Sequence, residues 1–224
     1  MTWKGRYSPE PLNSPSDEMD GRIDERLREA LNSSAVFGSY ANGSIPQSAV
    51  RTPVVEQIPV AGVDGDEVYY LADSDNGIVW HFRYRAAGSE SYPWEFVGGS
   101  SLRSEIATSQ TTTNPAYVDL TTAGPSVTTP LAGDYILHFG SDLNNSGANY
   151  SIAAVKIGAA ATVDADAVFA FSGSASGGEV SVSRTMVKTA LAASTELKVQ
   201  YKAGAGTLAA GKRFLYVTPA RVGA

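Results

Sequence analysis

Few residues in this 224-residue chain could do chemistry, and they are scattered. It has two histidines, His81 and His138, and no cysteine. A serine nucleophile needs a base beside it and a turn that presents its hydroxyl, and no GxSxG elbow occurs. Both histidines are therefore read as structural, His81 on the non-aromatic face of a strand and His138 within the apolar run YILHF. Carboxylates lie close together at Asp64/Asp66/Glu67 and at Asp164/Asp166. Two of them converging in a cleft would suit glycoside hydrolysis, but both groups fall in turn-like sequence where solvated aspartates are ordinary. The run Asp73-Ser74-Asp75-Asn76-Gly77 invites a calcium-loop reading. It fails twice, because Gly77 stands fifth instead of sixth and Tyr84 takes the twelfth place, where a glutamate is required. A hairpin turn with Asn76-Gly77 at positive φ accounts for it better. Stacking remains: Tyr92, Trp94, Tyr117, Tyr150 and Tyr201 could each lay a ring on the apolar face of a sugar if exposed. No catalysis, cofactor or metal is expected.

Composition narrows the field in the same direction. Apolar residues make up 43% and charged ones only 18%, which fits a folded chain. The net charge of −6 is unevenly spread, since residues 115–224 hold seven acidic and eight basic side chains. A near-neutral C-terminal half suits glycans or other subunits as partners and gives a phosphate backbone no basic stripe, so nucleic acid is not expected. Lack of cysteine removes disulfides and sulfur-ligated zinc. The N-terminus MTWKGRYSPEPLNSPSDEMD has no apolar core for a secretion signal, and no window approaches eighteen apolar residues. Synthesis in a cytoplasm without membrane insertion is the expectation.

The elements that would position these residues can be read in order. Residues 1–62 form an anchoring arm, a helix and a connector. Ser14 is a good N-cap, Pro15 suits the first helical position, and Asp17 and Glu18 favour the positive end of the dipole. Met19, Ile23, Leu27 and Leu31 then make one apolar stripe along about five turns. Such a stripe must dock on something, either the chain itself or a larger assembly. Residues 63–99 are expected to form a small aromatic meander with strands near 67–72, 78–85 and 94–98. Ile78, Trp80, Phe82 and Tyr84 share one strand face, Trp94 and Phe96 repeat the alternation, and Val68 and Tyr70 precede it. Residues 100–115 read as a polar linker. From 116 to 224, about eight strands with Gly/Asn/Ser turns predict a mainly β domain, an antiparallel β-sandwich of jelly-roll type. Its candidate strands are 117–121, 126–129, 134–141, 149–157, 167–172, 178–189, 196–202 and 213–219.

The stretch DGDEVYYLADSDNGIVWHFRYRAAGSESYPWEFVGG, from Asp64 to Gly99, resembles a recurrent module of tailed-bacteriophage virion proteins. The resemblance rests on Asp64, Gly65, Glu67, Val68, Tyr69 and Tyr70, then Gly77, Val79, Trp80, Arg83 and Tyr84, then Tyr92, Trp94, Phe96, Val97, Gly98 and Gly99. It covers about a sixth of the chain strongly, and the following domain more loosely. It implies a structural protein of the particle, a minor tail, tail-fibre or head-fibre component assembled in the host cytoplasm. It also implies a homo-oligomer, often threefold, anchored to other virion proteins by its N-terminus. Its C-terminal domain would face the host surface. The alternative within the same resemblance is a capsid decoration or head-fibre protein.

Overall fold

The computed structural model describes residues 54–86, 91–171 and 178–223, which are mainly β. The arm and the helix expected over 15–31, with Met19, Ile23, Leu27 and Leu31, lie outside the described residues. Residues 54–224 form one compact unit. Thirteen strands occur among the described residues: β1 Val54–Val55, β2 Glu67–Asp73, β3 Ile78–Tyr84, β4 Trp94–Gly99, β5 Leu102–Ile106, β6 Gln110–Thr112, β7 Ser126–Thr128, β8 Gly133–Asn145, β9 Tyr150–Ile157, β10 Ala167–Phe171, β11 Val180–Leu191, β12 Glu196–Ala203 and β13 Leu208–Val222. They form a nine-stranded sheet ordered β1-β2-β3-β4-β13-β8-β11, with β5 and β6 also on β13, and a four-stranded sheet ordered β10-β9-β12-β7.

Alternation builds the core. In β12, Leu197, Val199 and Tyr201 are fully buried, while Lys198, Gln200 and Lys202 face outward. Leu137, Phe139, Leu215 and Val217 of the large sheet meet Val155, Leu197 and Val199 of the small one in a single cluster. The meander belongs to the same cluster. Trp80 and Phe82 are wholly buried, Trp94 and Tyr70 nearly so, and Tyr84 and Phe96 pack against them half-buried. Trp80 stands edge-on to Phe82 and Phe96, and its ring centroid lies 6.4 Å from that of Tyr135 in β8. Both indoles are satisfied, Trp80 Nε1 donating to the Ser100 carbonyl at 2.8 Å and Trp94 Nε1 to the Pro59 carbonyl at 2.9 Å. The sheet is continuous across the junction, with Trp94 opposite Val222 and Glu95 opposite Arg221.

Three segments differ from the sequence reading. Val54–Val55 pairs in parallel with Tyr69–Tyr70, and Ile58 is buried, so the last part of the expected connector belongs to the meander. The segment read as a linker, 100–115, carries β5 and β6, both paired antiparallel with β13. Its residues are exposed or half-buried except for Leu102, so the strand signal is one-sided. Residues 117–121 are not a strand: one bridge, Val118 to Tyr201, ties them to β12.

The break between β5 and β6 coincides with a bulge in β13. There the register against β8 shifts between Gly211 and Phe214, and Lys212 adopts φ 44°. The bulge turns Arg213 inward. Its guanidinium is buried and donates to the carbonyls of Thr122, Gly124 and Thr108 and to Gln110 Oε1, at 3.0–3.3 Å. It also lies over the Tyr201 ring. One cation thus holds the 107–110 and 122–124 segments against the core.

Candidate functional site

The outer face of the small sheet combines exposed rings with a fixed polar network. Cross-strand pairing sets Phe171 opposite Tyr150 and Phe169 opposite Ile152, with Lys202 next in that row on β12. Directly opposed residues share a face. Phe169, Phe171 and Tyr150 are each about half exposed, at 47%, 54% and 50%. The Tyr150 and Phe171 rings lie 5.0 Å apart, tilted by 54°. Beside them Tyr117 packs on a small second cluster of Ile152, Ala154 and Ala167.

The polar part is built on Tyr117 and the 3-10 turn at Asp164–Asp166. Asp164 Oδ1 accepts from the Tyr117 hydroxyl at 2.7 Å and from Lys202 Nζ at 2.6 Å, and that ammonium sits 4.6 Å above the Tyr117 ring. The Lys202 and Tyr117 hydrogen bonds hold the Asp164 carboxyl below the usual carboxylate range, while burial and the neighbouring carboxylate push the Tyr117 phenol up. Asp119 joins Lys198 at 2.9 Å and Gln200 at 3.1 Å. Burial works to raise the Asp119 carboxyl, but these partners outweigh it and the net shift is downward. A depression of about 740 Å³ lies on this face, lined by Tyr117, Lys156, Thr162, Asp164, Gln200 and Lys202 among others. Charges are paired within the network, so it presents hydrogen-bonding groups with little net field.

The other sequence candidates are placed elsewhere. Of the five aromatic residues singled out for stacking, Trp94 and Tyr201 are buried in the core, Tyr92 and Tyr117 are half-covered, and Tyr150 is exposed. Phe169 and Phe171 were not among the sequence candidates, because the alternation in AVFAF does not say which face of β10 meets solvent. The carboxylates do not converge. Asp164 pairs with Lys202, whereas Asp166 is buried and bonds Lys188 of β11. Asp66 accepts from the Val63 amide and Asp64 from the Ala86 amide, and Glu67 pairs with Arg83 and His81. Asp73 Oδ1 accepts from the amides of Asp75 and Asn76, and Gly77 takes φ 63°, as a hairpin turn requires. Both histidines have structural partners. His81 stacks on Tyr69 at 4.5 Å, and His138 meets Thr185 Oγ1 at 2.7 Å and stacks on Phe214. Among the described residues no group of three or more His, Asp or Glu could hold a metal, and no helix is long and apolar enough to cross a membrane.

No family model matches the chain, and no curated protein sequence matches it. Among solved structures it is similar to dimeric latent PorU from Porphyromonas gingivalis, at 11% identity and TM-score 0.31, over 62% of this chain and 14% of that one. It is also similar to a protein of the infectious bursal disease virus Gx strain, at 15% identity and TM-score 0.22, over 63% of this chain and 43% of that one. The chain thus spans well under two thirds of either structure's length. Likenesses of this size do not enter the argument on function.

Proposed function

We propose that the chain is a structural subunit of a tailed-phage virion, a tail-associated fibre or minor tail protein whose C-terminal domain adheres to the host surface without making or breaking a bond. The N-terminal region would anchor it to other virion proteins. The observation that carries the adhesion reading is the half-exposed Phe169–Phe171–Tyr150 platform beside the Tyr117–Asp164–Lys202 network. Rings that stack and paired polar groups that hydrogen-bond are what a neutral glycan or a polar protein surface needs from its receptor. The strand order supports the finer fold reading. With β5 and β6 together as one broken strand, the sheets run β5/β6-β13-β8-β11 and β7-β12-β9-β10, all antiparallel, which is the eight-strand, two-Greek-key order of a jelly roll. The aromatic module that carries the phage resemblance forms part of the same sheet and core.

The reading is tested by adding the purified chain to host cells before infection. It predicts a dose-dependent fall in phage adsorption, lost in the double variant Tyr150→Ala/Phe171→Ala with the fold intact by circular dichroism. Equal blocking by the variant would remove the platform from the proposal, and no blocking by either would remove adhesion.

A further inference from the structure

Among the described residues the large sheet ends on β11, which is bonded on one side only, by β8. This edge differs from the others. β1 has two residues, β7 three and β10 five. The edge along β13 is broken into β5 and β6 and crossed by side-chain bonds, the Ser126 amide donating to Ser104 Oγ and Gln110 bonding Thr122. β11 runs for twelve residues, in unbroken register with β8 from Val180–Leu143 to Lys188–Tyr135, and its one register shift lies at its far end, where Ala190 takes φ 56°. It contains no proline, and the side chains on its outer face are Ser181, Ser183, Thr185, Val187 and Thr189, none of them charged.

Long, regular, uncharged edges invite pairing with another chain, and proteins that must stay apart guard them with charges, prolines or bulges. The two cations of β11 do not act as guards. Arg184 is turned inward to the carbonyls of Ala165 and Ala167, and Lys188 inward to Asp166. Two copies of this strand can therefore meet with no like charges opposed. On the adjoining outer face, Val187, 59% exposed, lies directly opposite Ile136, 38% exposed, while Thr185 lies opposite His138 and Ser181 opposite Asp142, whose charge is paired with Lys212.

We propose that β11 pairs antiparallel with β11 of a second copy of the chain, about a twofold axis near Thr185, joining the two large sheets edge to edge. A self-complementary edge of this kind gives an isologous contact. In this geometry Ser183 faces Val187 of the other copy, and Thr185 faces its own symmetry mate. The inference rests on reading the chain as an assembly subunit, and it replaces the threefold packing implied by the phage resemblance with a twofold one.

The test is the solution mass of the full-length chain by light scattering, together with the double variant Ser183→Lys/Val187→Lys. Each substituted side chain points to solvent, so the fold should survive, as a thermal melt would verify, while lysines face each other across the axis. The expected result is a dimer whose dissociation constant rises about tenfold or more in the variant. A monomeric or threefold wild type, or a dimer that the variant leaves unchanged, overturns the inference. Neither result touches the virion reading, which is tested by location on the particle.

Discussion

Arg213 concentrates more structural consequence than any other polar residue in the described chain. It is buried with no carboxylate partner, so its charge is dispersed over three backbone carbonyls and the Gln110 side-chain oxygen. Replacing it with leucine would leave those acceptors without their donor inside the protein. Hydrogen bonds to a charged group contribute more than neutral ones, and unmet buried acceptors are costly. Arg213→Leu should therefore lower the unfolding free energy by about 3 kcal/mol. Urea denaturation checks this, and a loss below about 1 kcal/mol would mean the clasp is dispensable. The Asp119 and Asp164 carboxyls give a pH dependence of known sign. Both have folded pKa values below the ordinary carboxylate value, so they stabilise the fold above that value. Their contribution is lost as pH falls from about 4 through the lower folded values. The melting temperature should thus drop on acidification through that window, and drop less steeply in Asp119→Asn. A parallel acid profile in the variant would assign the effect elsewhere. These pairs are partly solvated, so each contributes modestly.

At the scale of elements, the meander and the C-terminal domain share strands and core. Trp80 of β3 touches Tyr135 of β8, and β4 pairs with the last residues of β13. Truncating Trp80 to alanine should cost about 3–5 kcal/mol and lower the stability of the whole described unit. Tryptophan fluorescence and far-ultraviolet dichroism should then report one coincident transition for residues 54–224, whereas two separated transitions would show an independent meander. The meander was legible in the sequence because its alternation is chemically strong, aromatic on one side and His81 and Arg83 on the other. Strands β7 to β13 were legible for the same reason, apart from their ends. β5 and β6 were not, because LRSEI and QTT bury little and are interrupted where Arg213 enters. Segment 117–121 looked like a strand because Tyr117, Val118 and Leu120 are apolar, but Tyr117 and Leu120 pack as plugs and only Val118 bridges to β12. The platform was hidden for a different reason. In AVFAF alternation divides Phe169 and Phe171 from Val168 and Ala170, and nothing in the sequence says that the large rings face solvent while Ala170 faces the core.

At the scale of the whole molecule, the proposed virion subunit carries its proposed adhesion face on the small sheet and, among the described residues, an open edge on the large one. Repeated copies would convert a weak surface site into useful avidity. The most direct test is immunogold electron microscopy of purified virions of the phage proposed to encode this chain, with antibody raised against residues 116–224. Label at the tail tip or baseplate is the expected result. Label spread over the head would contradict it and identify the chain as a capsid decoration or head fibre, and unlabelled particles would contradict a virion role altogether.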